Sequence, residues 1–139
     1  MLTSDESLAL CAAAKTAAEQ AGTLPMSFAV TDPGGHLVAL VRMDGALWIT
    51  ATVATGKAWT AAAYGVPTHA QREKMTQMPN FASALTTVTG GSYTPQTGGV
   101  PVYRDGVLLG GVGASGGTGD EDQAAVIAGV ESIGCTTTA

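Results

Sequence analysis

The chain of 139 residues is 45% hydrophobic and only 12% charged, against about a quarter charged in an ordinary globular domain, which fits one folded unit spanning 1–139 whose surface is partly buried in a homo-oligomer. A net charge of −5 with six scattered Lys and Arg provides no basic stripe and excludes nucleic acid as the expected partner. The start, MLTSDESLALC, is acidic where an export signal is basic, and no charge-free stretch is apolar enough to span a bilayer; the expected location is the cytoplasm, with Cys11 and Cys135 as free thiols.

Thr3 and Glu6 have capping-box spacing, and LALCAAAKTAAEQA then runs as a helix to Gly22 and Pro25. Met26, Phe28 and Val30 alternate with smaller residues as in a strand; Asp32-Pro33-Gly34-Gly35 turns, and HLVALVR returns as its hairpin partner. A helix follows from about Leu47 to Tyr64, stopped by Gly65 and Pro67. The polar stretch Thr68 to Asn80 holds a short helix. From Phe81 to Gly99 the pattern breaks, and SYTPQT reads equally as a middle strand or a loop over a pocket. VPVY, the turn Arg104-Asp105-Gly106 and VLLGGVGAS form a second hairpin, and Thr118 with Glu121 caps a last helix that ends at Gly134. Strands joined by tight turns are antiparallel, so the fold class is α+β, with helices packed on a sheet.

Between Asp44 and Arg72 the only formal charge is Lys57, on an Ala-rich helix. A buried ammonium has to be paired, reach water or be used. Three roles fit: pairing with Asp32, Asp44 or Asp122; holding an anionic ligand group; or acting as a desolvated base or nucleophile. Gly111, Gly113 and Gly116 spell GxGxxG, but the strand belongs to a hairpin and the next helix opens with Asp120, Glu121 and Asp122. Close strand–helix packing explains these glycines better than a dinucleotide does. His36 opens a strand and His69 lies beyond Pro67, too far apart in sequence to predict a metal site. Ser115 lacks a nucleophile elbow.

Taken together, AVTDPGGHLVALVRMDGA, TGKAWTAAAYGVPT and GGVPVYRDGVLLGGVGASGGTGDEDQAAVIAG resemble the GlcG/HbpS family of small haem-associated proteins, a module that also forms the C-terminal domain of PduO-type corrinoid adenosyltransferases. The resemblance implies a profilin-like α/β/α sandwich, with a five-stranded antiparallel sheet carrying helices on both faces, and homo-oligomers. It implies binding of a small molecule, haem or a related tetrapyrrole. His36 is then the axial or propionate contact, Lys57 or Arg42 neutralises a propionate, and the Thr118 region also falls on the family's pattern. The polar SYTPQT, with Pro95, departs from the apolar strand that relatives carry there. That departure favours a smaller polar ligand and an alternative function: a cofactor-independent enzyme on a small polar or acidic metabolite, in which Lys57 orients an anion and Asp32 or Asp122 moves a proton. A partner subunit without a ligand is the third alternative.

Overall fold

Thr3 and Glu6 form the reciprocal cap that their spacing predicts: the Glu6 N–H donates to Thr3 Oγ1 at 3.1 Å and the Thr3 N–H to Glu6 Oε2 at 2.9 Å. In this computed structural model, which describes residues 1–139, the cap opens α1 (Ser4–Ala21). The hairpin β1 (Ser27–Thr31) and β2 (Leu37–Arg42) follows, then helices α2 (Ile49–Tyr64), α3 (Thr68–Thr76) and α4 (Pro79–Val88). A second hairpin, β3 (Gly99–Arg104) and β4 (Val107–Ser115), leads into α5 (Gly119–Ser132), which opens on the expected Thr118–Glu121 box.

The strands lie in the order β2-β1-β4-β3 and every neighbouring pair is antiparallel. Strand β1 joins the two hairpins, its Val30 standing opposite Ala39 on one side and Val112 on the other. Alternation along the strands gives the sheet two unlike faces. One carries Phe28, Val30, Val100, Val102 and Val112, packed with Leu10 and Ala14 of α1 and Val126 and Val130 of α5 in the main core. Each of the Val, Leu and Phe side chains contributes roughly 1.5–3 kcal/mol on leaving water. The other face is built of small residues. Ala29 packs with Ala54 and Ala58 of α2, and a Cβ on Gly111 or Gly113 would overlap the backbone of α2 at Ala58 or Ala54. The glycines of the GxGxxG run therefore let a helix lie directly on a strand, and the same contact leaves no room there for a pyrophosphate.

The sheet has four strands, one fewer than the family resemblance implies. The fifth would have come from SYTPQT, whose backbone donors are spent elsewhere. Pro95 has no N–H, the Thr94 N–H donates to the Thr60 hydroxyl at 2.8 Å, and the Gln96 N–H to the Thr94 carbonyl at 2.9 Å. Tyr93 is buried, with its ring 5.8 Å from that of Tyr64 and its hydroxyl donating to Gln71 at 2.9 Å. The segment thus runs as a loop over α2, and the residues before it form α4.

Cys11 and Cys135 are both buried and unpaired. Burial pushes the Cys11 thiol up to about 11. Because its folded value lies above the 9.0 of an exposed thiol, the stability it contributes is complete below pH 9 and lost as pH rises through 11. Iodoacetamide at pH 8.5 is accordingly expected to leave Cys11 unlabelled in the folded protein and to modify it once urea unfolds the chain. Labelling at equal rates in both states would contradict this burial. No helix is long and apolar enough to cross a membrane.

Candidate functional site

Because α2 lies against the glycine face of β4, the side chain of Lys57 cannot extend toward solvent and runs along the sheet. Lys57 is 4% exposed as a residue, and its ammonium donates to the Ala114 carbonyl at 2.9 Å and to Asp122 Oδ2 at 3.0 Å. Asp122, in the first turn of α5, is 2% exposed and accepts at Oδ1 from the Gly117 N–H at 3.0 Å. Of the carboxylates open to Lys57, the fold selects Asp122. Burial raises the affinity of that carboxyl for a proton, and the adjacent Lys57 ammonium opposes the rise. Gly98 is packed between the pair: a Cβ there would stand 2.8 Å from Lys57 Nζ.

The pair forms one wall of a polar cleft of about 450 Å³, shared by α2, α3, the loop before β3 and the start of α5. Arg72, Gln96, Thr97 and Ser115 face it, and of its eleven lining residues only Val53 is apolar. Thr118 also lines the cleft, with its hydroxyl engaged in the helix cap, accepting from the Glu121 N–H at 3.2 Å.

A second groove, of about 430 Å³, lies between β2 and α2 and is walled by Leu40, Thr55, Trp59 and Ser92, with Gly35 at its edge. Gly35 has φ +83°, and a Cβ on it would stand 2.6 Å from the Trp59 indole, so the hairpin turn presses against this side chain. The next residue is His36, with its ring exposed. Asp32 accepts from the Gly34 N–H at 2.9 Å, from the His36 N–H at 3.0 Å and from His36 Nδ1 at 3.2 Å. The His36 backbone bond is the main cause holding the Asp32 carboxyl below its usual range, with the Gly34 N–H and the His36 ring adding to it. An ionised carboxylate only accepts, so Nδ1 is the donor to Asp32, which in the neutral ring leaves the lone pair on Nε2.

The sheet separates the residues that sequence reasoning grouped. Asp32 and His36 lie at the Thr31–Gly111 end of β1 and β4, whereas Lys57, Asp122 and Thr118 lie at the Ser27–Ser115 end. Asp32 therefore shares no cleft with Lys57. Arg42 pairs with Ser27, six residues and roughly 20 Å along the strand from His36 at about 3.3 Å per residue. His69 is tied by Nδ1 to Gln123 Oε1 at 3.0 Å. Arg72 and Trp59 were not signalled: the first lies in an unremarkable polar stretch, and the second shares an Ala-rich helix whose faces only the sheet distinguishes.

A family model described as haem degrading protein HbpS-like matches residues 2–131. Protein GlcG of Escherichia coli strain K12 is 42% identical over 90 residues, covering 65% of this chain and 63% of GlcG. The corrinoid adenosyltransferase PduO of Salmonella typhimurium is 33% identical over 110 residues, 78% of this chain and 32% of PduO. The chain thus spans less than two thirds of the length of either relative. Among solved structures, a PduOC:heme complex superposes with a TM-score of 0.87 at 29% identity, covering 99% of both chains. HbpS superposes at 0.83 and 30% identity, over 94% of this chain and 89% of that one.

Proposed function

This chain belongs to the HbpS-like family, and from that premise we propose that it binds haem or a related tetrapyrrole against the groove between β2 and α2, with His36 as axial ligand. The observation that carries the proposal is the His36–Asp32 pair beside that groove. A carboxylate on Nδ1 fixes the ring and selects the tautomer, which is how a protein prepares an imidazole for a metal centre. Leu40 and Trp59 supply apolar wall next to it, and the structural similarity to a PduOC:heme complex supports the same ligand class. Haem held there would supply the iron that Nε2 ligates; Asp32 would keep the ring oriented and anionic charge close behind it.

Lys57 and Thr118 stand in the other cleft, the first committed to Asp122 and the second to its cap, and Arg42 sits at the far end of β2. The haem reading therefore rests on His36 alone among the four contacts expected from sequence. Leu40 of the groove wall is exposed, as are Leu37 on β2 and Leu47, Trp48 and Ile49 at the start of α2. A second copy of the chain would cover them, in keeping with a homo-oligomer.

Titration with hemin is expected to give a saturable Soret shift that His36→Ala abolishes and Asp32→Asn weakens by about tenfold, the scale of a lost outer-shell partner. No shift, or one that survives His36→Ala, would end this assignment. A second reading, a cofactor-independent enzyme on a small polar metabolite, is favoured by one observation: Lys57 and Asp122 meet at the polar cleft, and Asp32 takes no part.

A further inference from the structure

We infer that the polar cleft beside Lys57 binds a small carboxylate that also carries a hydroxyl or amino donor. This extends the second reading by naming the ligand class, and binding can hold even where turnover fails.

The fold leaves hydrogen-bonding capacity unspent around one cavity. Lys57 has three N–H donors and uses two, on the Ala114 carbonyl and Asp122. Both oxygens of Asp122 are engaged, by Lys57 and by the Gly117 N–H. The pair is thus neutral as a unit, with a donor to spare in a cleft about 450 Å³ in volume. Of the six Lys and Arg, Lys15, Lys57 and Arg104 meet Glu19, Asp122 and Glu6, whereas Arg42, Arg72 and Lys74 meet no carboxylate. Of the unpaired three, only Arg72 lines this cleft. A planar fork of donors matches a carboxylate in two parallel bonds. The hydroxyls of Ser115 and Thr97 and the amide of Gln96 line the same cavity, with no internal side-chain hydrogen bond among those found.

Asp120 narrows the class. It is exposed, has no cationic partner and lines the cleft with Arg72. A doubly charged phosphate would meet this carboxylate unfavourably, whereas a monocarboxylate with a neighbouring hydroxyl or ammonium can place its anionic group at Arg72 and its donor at Asp120. The apolar macrocycle proposed for the other groove has no matching surface here, so the two sites take different molecules.

The test is a heteronuclear NMR titration of the whole chain at constant ionic strength, reading the amides of Ser115, Gly117 and Gly119, with acetate, lactate, serine and orthophosphate as separate probes. Lactate or serine is expected to give saturable shifts, with a Kd about tenfold below that of acetate, in the range of one hydrogen bond to a charged group. Arg72→Gln should weaken binding at least tenfold, and Asp120→Asn should bring lactate or serine back to the level of acetate. Both positions are exposed, so neither variant threatens the fold. The inference is overturned if no carboxylate saturates, if Arg72→Gln binds as the parent does, or if orthophosphate binds more tightly than every carboxylate. Turnover is not part of the readout, so an enzyme reading that fails leaves these results standing.

Discussion

Replacing Asp122 with alanine is expected to destabilise the protein by about 3–5 kcal/mol, because it strands the Lys57 ammonium in the interior. Lys57 is buried, 4% exposed as a residue, and the Ala114 carbonyl alone cannot balance its charge. Against a total stability of roughly 5–15 kcal/mol for a domain, the loss is a large share, and it should lower Tm by about 10 °C or more. The effect belongs to the stranded charge rather than to the ion pair as such. Removing both charges, in Lys57→Met with Asp122→Leu, is therefore expected to recover most of the stability, since replacing a buried pair by apolar side chains is often neutral or better. Asp122→Asn should fall between them, keeping an acceptor for Lys57 at the cost of the charge. Urea unfolding of the four proteins measures the series. An Asp122→Ala variant within 1 kcal/mol of the parent, or a double variant no more stable than the single, would show that the pair is not buried as described.

That pair also marks how far the sequence was legible. Lys57 stood out because no other charge lies between Asp44 and Arg72, and Asp122 was among three candidate partners. Choosing between them required knowing that α5 follows β4 back across the sheet, a contact 65 residues apart in the chain. Features closed within a few residues could be read directly: both capping boxes, both hairpins and the glycine stops of α1 and α2. Features that depend on which backbone donors remain free could not. SYTPQT alternates enough to pass for a strand, yet the Thr60 hydroxyl takes the Thr94 N–H and Pro95 offers none, and no local pattern announces that competition. The placing of His36, Arg42, Lys57 and Thr118 relative to one another was hidden for a related reason. Each lies at a strand or helix end, and only the register of β1 against β2 and β4 shows which ends coincide.

Gly113→Val is expected to cost roughly 3 kcal/mol or more, at the upper end of what overpacking does in a core. The position tolerates no side chain: a Cβ would overlap the Ala54 carbonyl and come within 2.7 Å of the Ala58 N–H nitrogen and 2.9 Å of Lys57 Cβ. Those neighbours are mostly the backbone of α2, which cannot rotate aside as a side chain can, so the helix as a whole has to lift from the sheet. Lifting α2 reaches both clefts at once, because the helix carries Val53 and Lys57 on the wall of one and Thr55 and Trp59 on the wall of the other. The variant should therefore weaken hemin binding and carboxylate binding together, although Gly113 lines neither cavity. Ala63→Val, at an exposed position of α2 away from β4, adds a valine without disturbing the seat of the helix and is expected to cost under about 1 kcal/mol. Equal urea midpoints for Gly113→Val and the parent would mean that α2 does not lie on β4 through its glycines. A destabilised variant that kept both affinities would show instead that the two binding walls do not depend on the seating of this helix.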